Sequence, residues 1–272
     1  MAVLQISEVF GNDTSQNLNV EIRRKPWCPF RISPCTKQGK TNPLGISSYS
    51  DGNRATCVCP VRFQEGGNLF IDVGRLAFGQ NEKITVAPET RLLRIPGKKN
   101  KKIGKVDYLV ARLDANGKPV DFAALEVQAV YISGNSIRPA FDHFLATGEL
   151  SEDSKRRPDF RSSAQKRLMP QLALKVPIFR RWGKKFFVAV DAAFFDALPP
   201  LKTVSPDNAE ITWLAYPFAR GSQGGFSMGK PAIYHTLWDD VLASLREGEA
   251  PERSELLDEI AARMPNLSVY ST

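Results

Sequence analysis

The chain has 272 residues, a formal net charge of +8 and a hydrophobic fraction of 42%. A chain of this length and composition suits one large domain, or one domain with a small appendage, around a sizeable core. No apolar run approaches the ~20 residues of a membrane helix, and residues 1–20 lack the layout of a secretory signal, so we expect a cytoplasmic protein without membrane contact. The positive charge favours nucleic acid as a partner, with a basic surface that binds no polyanion as the alternative.

The charges are unevenly distributed along the chain. Residues 91–105 and 155–185 are basic stretches in which Asp159 is the only acidic residue, whereas acidic residues concentrate in residues 239–259. This asymmetry predicts one side of the molecule that faces phosphates and another that faces away from them.

The first predicted element is an irregular segment rich in Cys, Pro, Gly and Ser, over residues 20–68. All four cysteines of the chain lie in it, at Cys28, Cys35, Cys57 and Cys59. Because two disulfides are uncommon in a cytosolic protein, and four thiolates match a tetrahedral iron or zinc ion, we predict a structural metal site. Four buried thiols that pack as small apolar groups are the alternative.

A hairpin follows, with an apolar strand on either side of Asn116-Gly117, which is a strong signal for a two-residue loop. In that register Asp107 lies opposite Glu126, and Gln128 shares the face of Glu126 because side chains alternate along a strand. Two carboxylates ~5 Å apart repel each other unless a cation lies between them, and hard oxygen ligands suit Mg²⁺. The sequence therefore predicts a magnesium site at Asp107 and Glu126.

The alternative for these carboxylates is a pair of solvated side chains that form surface ion pairs with nearby lysines. The strand predicted over residues 120–131 is otherwise almost entirely apolar, which is typical of a strand buried on both faces. A lone glutamate buried there is costly without a partner, and this cost favours the metal site.

After the hairpin, the pattern predicts alternating helices and strands over residues 140–272. Strands are expected at 185–194 and 211–216, and an amphipathic helix at 238–264 with a break at Pro251. Mixed elements in this order predict an α/β or α+β core. We divide the chain into a cysteine module over residues 1–68 and a core over residues 69–272.

Residues 156–171 are expected to form a helix, capped by Ser162 or Ser163, that contacts DNA. It carries side chains of the types that bond guanine and adenine edges in the major groove, at Arg161, Gln165, Lys166, Arg167 and Gln171. The loop that follows the second hairpin strand adds Asn135 and Arg138. A basic helix face that contacts only phosphates is an equally supported alternative.

Asp107, followed by Glu126-Val127-Gln128, resembles the signature of the PD-(D/E)XK nucleases, with Gln128 at the position of the usual lysine. This resemblance implies that Asp107 and Glu126 hold the catalytic Mg²⁺ and that Gln128 orients the attacking water or a phosphate oxygen. Glu89, at the start of a possible helix, matches an additional acidic residue of such sites. The positive charge that the lysine would supply is expected from the metal and from Lys102 or Lys105.

Three further segments, at residues 28–30, 124–135 and 182–185, are similar to restriction endonucleases of the NotI type, so that the resemblance covers roughly residues 20–200. It implies an α/β fold in which a PD-(D/E)XK nuclease core, a mixed sheet flanked by helices, follows an iron-binding four-cysteine module. The interval from Cys28 to Cys35 is wider than the family pattern leads us to expect.

Together these features predict a magnesium-dependent type II restriction endonuclease that hydrolyses double-stranded DNA. The resemblance implies a GC-rich palindrome as target and a companion DNA methyltransferase in the host, and cleavage of both strands at a palindrome implies a two-fold homodimer. Two other functions stay open: a non-enzymatic, metal-knotted DNA-binding regulator, and a repair-type nuclease of low sequence specificity.

Overall fold

The computed structural model describes residues 4–16, 18–52, 54–94, 102–150, 156–221, 224–246, 251–266 and 268–269. Part of the first basic stretch, Lys98, Lys99 and Lys101, lies outside the described residues.

The strands within the described residues are β1 (Gln5–Val9), β2 (Asn12–Asp13), β3 (Trp27–Cys28), β4 (Ser33–Pro34), β5 (Ile46–Ser50), β6 (Ala55–Cys57), β7 (Ile84–Arg94), β8 (Lys102–Leu113), β9 (Pro119–Gln128), β10 (Ile132–Ser133), β11 (Arg157–Pro158), β12 (Phe186–Asp191), β13 (Ile211–Tyr216), β14 (Phe218–Arg220), β15 (Phe226–Met228) and β16 (Ala232–Thr236). The α-helices are α1 (Val20–Arg24), α2 (Asn68–Phe78), α3 (Arg138–Thr147), α4 (Phe160–Ser162), α5 (Met169–Arg181), α6 (Ala192–Asp196), α7 (Trp238–Arg246) and α8 (Arg253–Arg263). Short 3₁₀ helices lie at Pro60–Gly67, Pro206–Asn208 and Met264–Asn266, and a π-helical segment, Ser163–Leu168, joins α4 to α5.

The centre of the molecule is a six-stranded mixed sheet with the strand order β16-β13-β12-β9-β8-β7. Strands β9, β12 and β13 run parallel, while β7, β8 and β16 are antiparallel to their neighbours. Every residue of β12 and β13 is buried, as expected for parallel strands that helices cover on both faces. The predicted mixed α/β architecture, with a mixed sheet flanked by helices, is confirmed.

Helices cover the two faces of this sheet with separate apolar cores. On one face, Leu172, Val176 and Phe179 of α5 pack with alternate residues of β12, and α7 completes this core. On the opposite face, Leu69 and Val73 of α2 pack against the sheet. We call the first of these two surfaces, which α5 covers, the α5 face of the sheet.

The hairpin of β8 and β9 has the predicted register but not the predicted loop. Its loop has three residues, because Asp114 bonds to Lys118 and Gly117 adopts a positive φ of 78° that closes the turn. A bulge next to the turn then shifts the pairing by one residue, so that Arg112 faces Asp121 and Tyr108 faces Leu125. The predicted two-residue loop is wrong. The predicted register is nevertheless correct, because the bulge compensates for the extra loop residue.

The segment predicted to be irregular, residues 20–68, contains regular structure, including α1 and strands β3 to β6. Strands β2, β1, β5 and β6 build a four-stranded antiparallel sheet. Its core includes Phe141 and Phe144 of α3, which come from a distant part of the chain. The boundary proposed at residue 68 stays a prediction, and this packing ties the two regions closely together.

The C-terminal helix agrees with its prediction, whereas the helix proposed to contact DNA differs from it in its cap. Helices α7 and α8 lie within the predicted residues 238–264, on either side of the expected break at Pro251. The cap of α4 is Asp159, whose side chain accepts a hydrogen bond from the Ser162 N–H at 2.9 Å, so the predicted serine caps are wrong. Within the described residues, none of the helices has the length and apolar character needed to cross a membrane.

Candidate active site

Asp107 and Glu126 lie side by side on β8 and β9, at the centre of the mixed sheet. Tyr108 and Leu125 are paired across the two strands, and Asp107 and Glu126 are the next residues beyond that pair. The backbone N–H of Val127 donates a hydrogen bond to Asp107 Oδ2 at 3.0 Å. Glu126 is only 1% exposed. Because Ala124 and Leu109 belong to the core beneath α5, alternation places the two carboxylates on the same α5 face.

The partner of Glu126 is a lysine from helix α5 that sequence reasoning missed. Lys175 Nζ donates to Glu126 Oε1 at 2.6 Å and to Gln171 Oε1 at 2.9 Å. The available signal was a lysine within the buried stripe Leu172, Val176 and Phe179, at positions i, i+3, i+4 and i+7 of the helix. Nothing in the sequence, however, specified which strand that stripe covers.

Burial and mutual repulsion disfavour the ionised forms of the two carboxyl groups, and a bound cation would reduce both effects. Burial, together with the neighbouring negative charge of Asp107, raises the pKa of Glu126 to about 7, although Lys175 opposes this shift. Burial also raises the pKa of Asp107. Glu126 Oε2 is buried and has no hydrogen-bond partner within the described structure. A divalent cation fits this donor set, because it would both supply the missing partner and offset the repulsion.

The raised pKa leads to a stability prediction for the protein in EDTA. The folded state binds the Glu126 proton more tightly than the unfolded chain does, so the stability from this group is present below its ordinary pKa of 4.5 and is lost as pH rises through about 7. In Glu126→Gln the side chain has nearly the shape of protonated glutamic acid and is neutral at every pH. At about pH 8 the variant should be more stable than the wild type, by on the order of 3 kcal/mol, and the difference should vanish near pH 4.5. Urea unfolding at the two pH values measures this, and a variant that is less stable at both would contradict it.

Gln128 and Glu89 occupy different surroundings. Gln128 is buried at the end of β9, and its Nε2 donates to the carbonyl of Ala129 at 2.6 Å. Glu89 lies in strand β7 with a positive φ of 49°, so the helix start expected there is wrong. Its side chain is exposed and pairs with Lys105 at 2.8 Å, which lowers the pKa of Glu89. The negative charge of Glu89 contributes to the raised pKa of Asp107, so the two carboxylates interact electrostatically.

The cation observed in contact with Glu126 is Lys175, which is not among the lysines expected near the site from the sequence. Lys105 Nζ is bonded to the exposed Glu89. The side chain of Lys102 lies outside the described part of the structure, although its backbone belongs to β8.

Three of the four cysteines line one small cavity, and Cys57 is not part of its lining. Cys28, Cys35 and Cys59 line this cavity together with Lys37. Cys57 is wholly buried, with its Sγ 3.4 Å from the Cys59 carbonyl, and burial raises the pKa of its thiol. All four cysteines are described, and across the described residues no three His, Cys, Asp or Glu side chains form a group able to hold a metal ion. The four-cysteine metal site stays a prediction.

Beyond the end of β9 lies a second cavity, of about 360 Å³, whose mostly apolar lining includes basic side chains. Lys37, Arg156 and Arg167 line it, and its described lining includes no acidic residue. The guanidinium of Arg167 lies 4.2 Å from the ring centroid of Tyr131, which holds it over the cavity wall. Gln128 lines the same cavity, which places this basic surface directly beside the carboxylate site.

The other residues proposed to contact DNA are dispersed. Arg161 and Lys166 are exposed on the α4 and π-helical segments, and Asn135 is exposed in its loop. Gln165 donates to the Leu245 carbonyl at 3.4 Å and Arg138 bonds to Asn42 Oδ1 at 3.1 Å. Gln171 faces Lys175 in the carboxylate site. The structure brings only Arg167 of this set to the basic cavity.

Most of the chain matches the model of a known protein family. The family described as "Restriction endonuclease NotI" matches residues 9–228, which is more than half of the 272-residue chain. The matched segment contains both carboxylates, Lys175 and the four cysteines. A search of curated proteins found no match.

Proposed function

Because the chain belongs to the NotI restriction endonuclease family, whose members are type II site-specific DNA nucleases, we propose that it hydrolyses double-stranded DNA with Mg²⁺ at Asp107 and Glu126. The observation that carries this proposal is the pair of adjacent carboxylates on the α5 face, with one buried glutamate oxygen that lacks a partner. Their position on neighbouring central strands of a mixed sheet supports a PD-(D/E)XK nuclease core.

In this mechanism, the protein side chains bind and orient, and they keep water away from one side of the site. Asp107 and Glu126 would hold Mg²⁺, which when bound offsets phosphate charge and makes water a stronger nucleophile. The N–H of Val127 fixes the Asp107 carboxylate, and Lys175 fixes that of Glu126. Gln128 is proposed to orient the attacking water or a phosphate oxygen through its side-chain amide. The α5 helix closes the site from the protein interior.

The basic cavity at the end of β9 is proposed to bind DNA phosphate. Arg156 and Arg167, with no acidic residue in the described lining, favour an anionic group there. Lys37 contributes less, because its Nζ donates to the carbonyls of Ile46 and Val58 and burial lowers its pKa.

Arg167→Ala should weaken DNA binding about tenfold and reduce the slope of log K against log salt by about 1. Fluorescence anisotropy in EDTA at several salt concentrations measures both. Arg253→Ala, an exposed cation on α8, serves as the control, and equal effects of the two variants would contradict the assignment.

The assembly and setting follow from the proposed reaction. We propose a two-fold homodimer, because a palindromic site presents both strands symmetrically and each requires an active site. A GC-rich palindrome as target, a companion DNA methyltransferase that protects the host, and a cytoplasmic location complete the proposal.

The four cysteines remain candidates for a structural iron or zinc ion. The thiol positions fit such an ion only in part, because Cys57 does not line the cavity that the other three share. If the ion is present, metal analysis of the purified protein should find about one iron or zinc per chain, and Cys57→Ser should lose both the metal and the cooperative thermal transition. A metal-free wild type that is folded and active would contradict a structural metal.

Two other functions give different results in one experiment, in which genomic DNA is incubated with the protein and Mg²⁺. A restriction endonuclease produces discrete fragments. A repair-type nuclease of low specificity produces a smear, and a DNA-binding regulator leaves the DNA intact. The regulator is disfavoured because it leaves the costly burial of Glu126 beside Asp107 without a purpose.

A further inference from the structure

Helix α5 carries a charged residue where its pattern calls for an apolar one. Leu172, Val176 and Phe179 are buried against the sheet, and Lys175 lies in the same stripe with 4% exposure. Lysine is almost never buried without a partner, because its ammonium group loses hydration. A leucine or methionine at this position would pack without that cost, so the site has a use for the charge.

The contacts of Lys175 act on one oxygen of Glu126 and leave the other free. Nζ bonds to Oε1 at 2.6 Å, whereas Oε2 is buried without a partner in the described structure. Gln171, one turn earlier in α5, accepts a second bond from Nζ at 2.9 Å and so fixes the direction of the ammonium group. These two bonds hold the Oε1 side of the carboxylate in place, while Oε2 has no hydrogen-bond partner in the described structure.

Strand β9 itself cannot provide this cation. Two residues beyond Glu126, the position that shares its face is Gln128, whose amide is neutral. Lys105 is engaged by Glu89 at the protein surface. Of the described side chains, Lys175 alone forms an ion pair with Glu126.

We propose that Lys175 is a positioning residue of this active site, which replaces from helix α5 the cation that strand β9 lacks at position 128. It orients Glu126 so that Oε2 is presented to the metal, and Gln171 keeps Lys175 in place. This inference rests on the proposed function, since it assigns a role within the same site.

The first test is a swap of the cation between helix and strand. Lys175→Met should cut DNA at least about 100-fold more slowly than the wild type in single-turnover assays at saturating Mg²⁺, with DNA affinity in EDTA unchanged. Adding Gln128→Lys to this variant should recover at least about tenfold, because the new side chain starts on the face of Glu126. Lys175→Arg should keep more activity than Lys175→Met. If Lys175→Met does not fold, Lys175→Gln takes its place.

The second test needs no metal. In EDTA, Lys175→Met should lower the Tm of the wild type by several degrees, because it leaves Glu126 buried beside Asp107 without its cation. In the Glu126→Gln background the same substitution should lower the Tm much less. Equal losses in both backgrounds would show that the two side chains are not coupled and would overturn the inference.

The outcomes separate this inference from the proposed function. Suppose that Lys175→Met cleaves DNA at a rate within about threefold of the wild type, while Glu126→Ala is inactive. This result would overturn the role of Lys175 and leave the assignment of the active site intact. Slow cutting that neither Gln128→Lys nor Lys175→Arg improves assigns Lys175 to structure alone and also overturns it. If Glu126→Ala itself still cuts DNA, the site assignment fails, and the inference fails with it.

Discussion

Glu126→Ala is expected to lower Mg²⁺-dependent DNA cleavage by at least about 10³-fold. Glu126 is one of two carboxylates proposed to hold the metal, and metal stabilisation of transition-state charge is worth several kcal/mol. Since about 1.4 kcal/mol corresponds to a tenfold change in rate, loss of this ligand removes most of the catalysis. Single-turnover cleavage of a DNA fragment that carries one target site measures the effect.

The controls for this experiment separate chemistry from folding and binding. Glu126→Gln is measured in parallel, because alanine also leaves Lys175 buried without its partner. Glu255→Ala removes an exposed carboxylate from α8 and should leave the rate unchanged. DNA binding in EDTA should persist in all three variants. Cleavage by Glu126→Ala within tenfold of the wild-type rate would show that the metal is held elsewhere.

Arg62→Met is expected to lower the free energy of unfolding by about 3–5 kcal/mol. Arg62 is 1% exposed, and its Nε donates to both carboxylate oxygens of Glu8, at 3.2 and 3.3 Å. Its guanidinium also forms an ion pair with Glu65 at 2.7 Å and donates to the carbonyl of Phe226. Methionine preserves apolar volume but leaves the buried Glu8 carboxylate without its cation. Urea unfolding at neutral pH measures the change.

An exposed ion pair in the same protein provides the matched control. Arg54 and Asp196 are 3.2 Å apart, but their side chains are 51% and 65% exposed. Arg54→Met should change the free energy of unfolding by no more than about 1 kcal/mol. Adding Glu8→Gln to Arg62→Met should restore part of the loss. Equal effects of Arg62→Met and Arg54→Met would contradict the large contribution to stability predicted for the buried pair of Arg62 and Glu8.

The pairing of Asp107 with Glu126 could be predicted because it depends on local chemistry. Asn116-Gly117 marks a turn, and the flanking apolar strands leave little freedom in the pairing. The loop nevertheless has three residues, and the bulge that compensates for it cannot be recognised from turn residues alone. Pro-Glu is common at helix starts and predicts one at Glu89, but the pairing of β7 with β8 overrides that local preference.

The role of Lys175 could not be predicted, because it depends on a contact between residues 49 positions apart. The helical stripe shows that position 175 is buried, but only the packing of α5 on β9 shows which side chain it meets. The sequence predicts Gln171 as a DNA contact because its side-chain type suits a base edge. Only the fold shows that Gln171 instead accepts a hydrogen bond from Lys175. The clustering of cysteines in sequence predicted their proximity, but not that Cys57 would be excluded from the shared cavity.

The location of the metal tests the central claim most directly. Crystals of the protein soaked in Mn²⁺, which accepts the same oxygen ligands as Mg²⁺, can be measured for anomalous scattering. An anomalous peak within bonding distance of both Asp107 and Glu126, and absent from Glu126→Ala crystals, is the expected result. A Mn²⁺ peak elsewhere, with Glu126 still bound only to Lys175, would contradict the assignment of this carboxylate pair as the catalytic metal site.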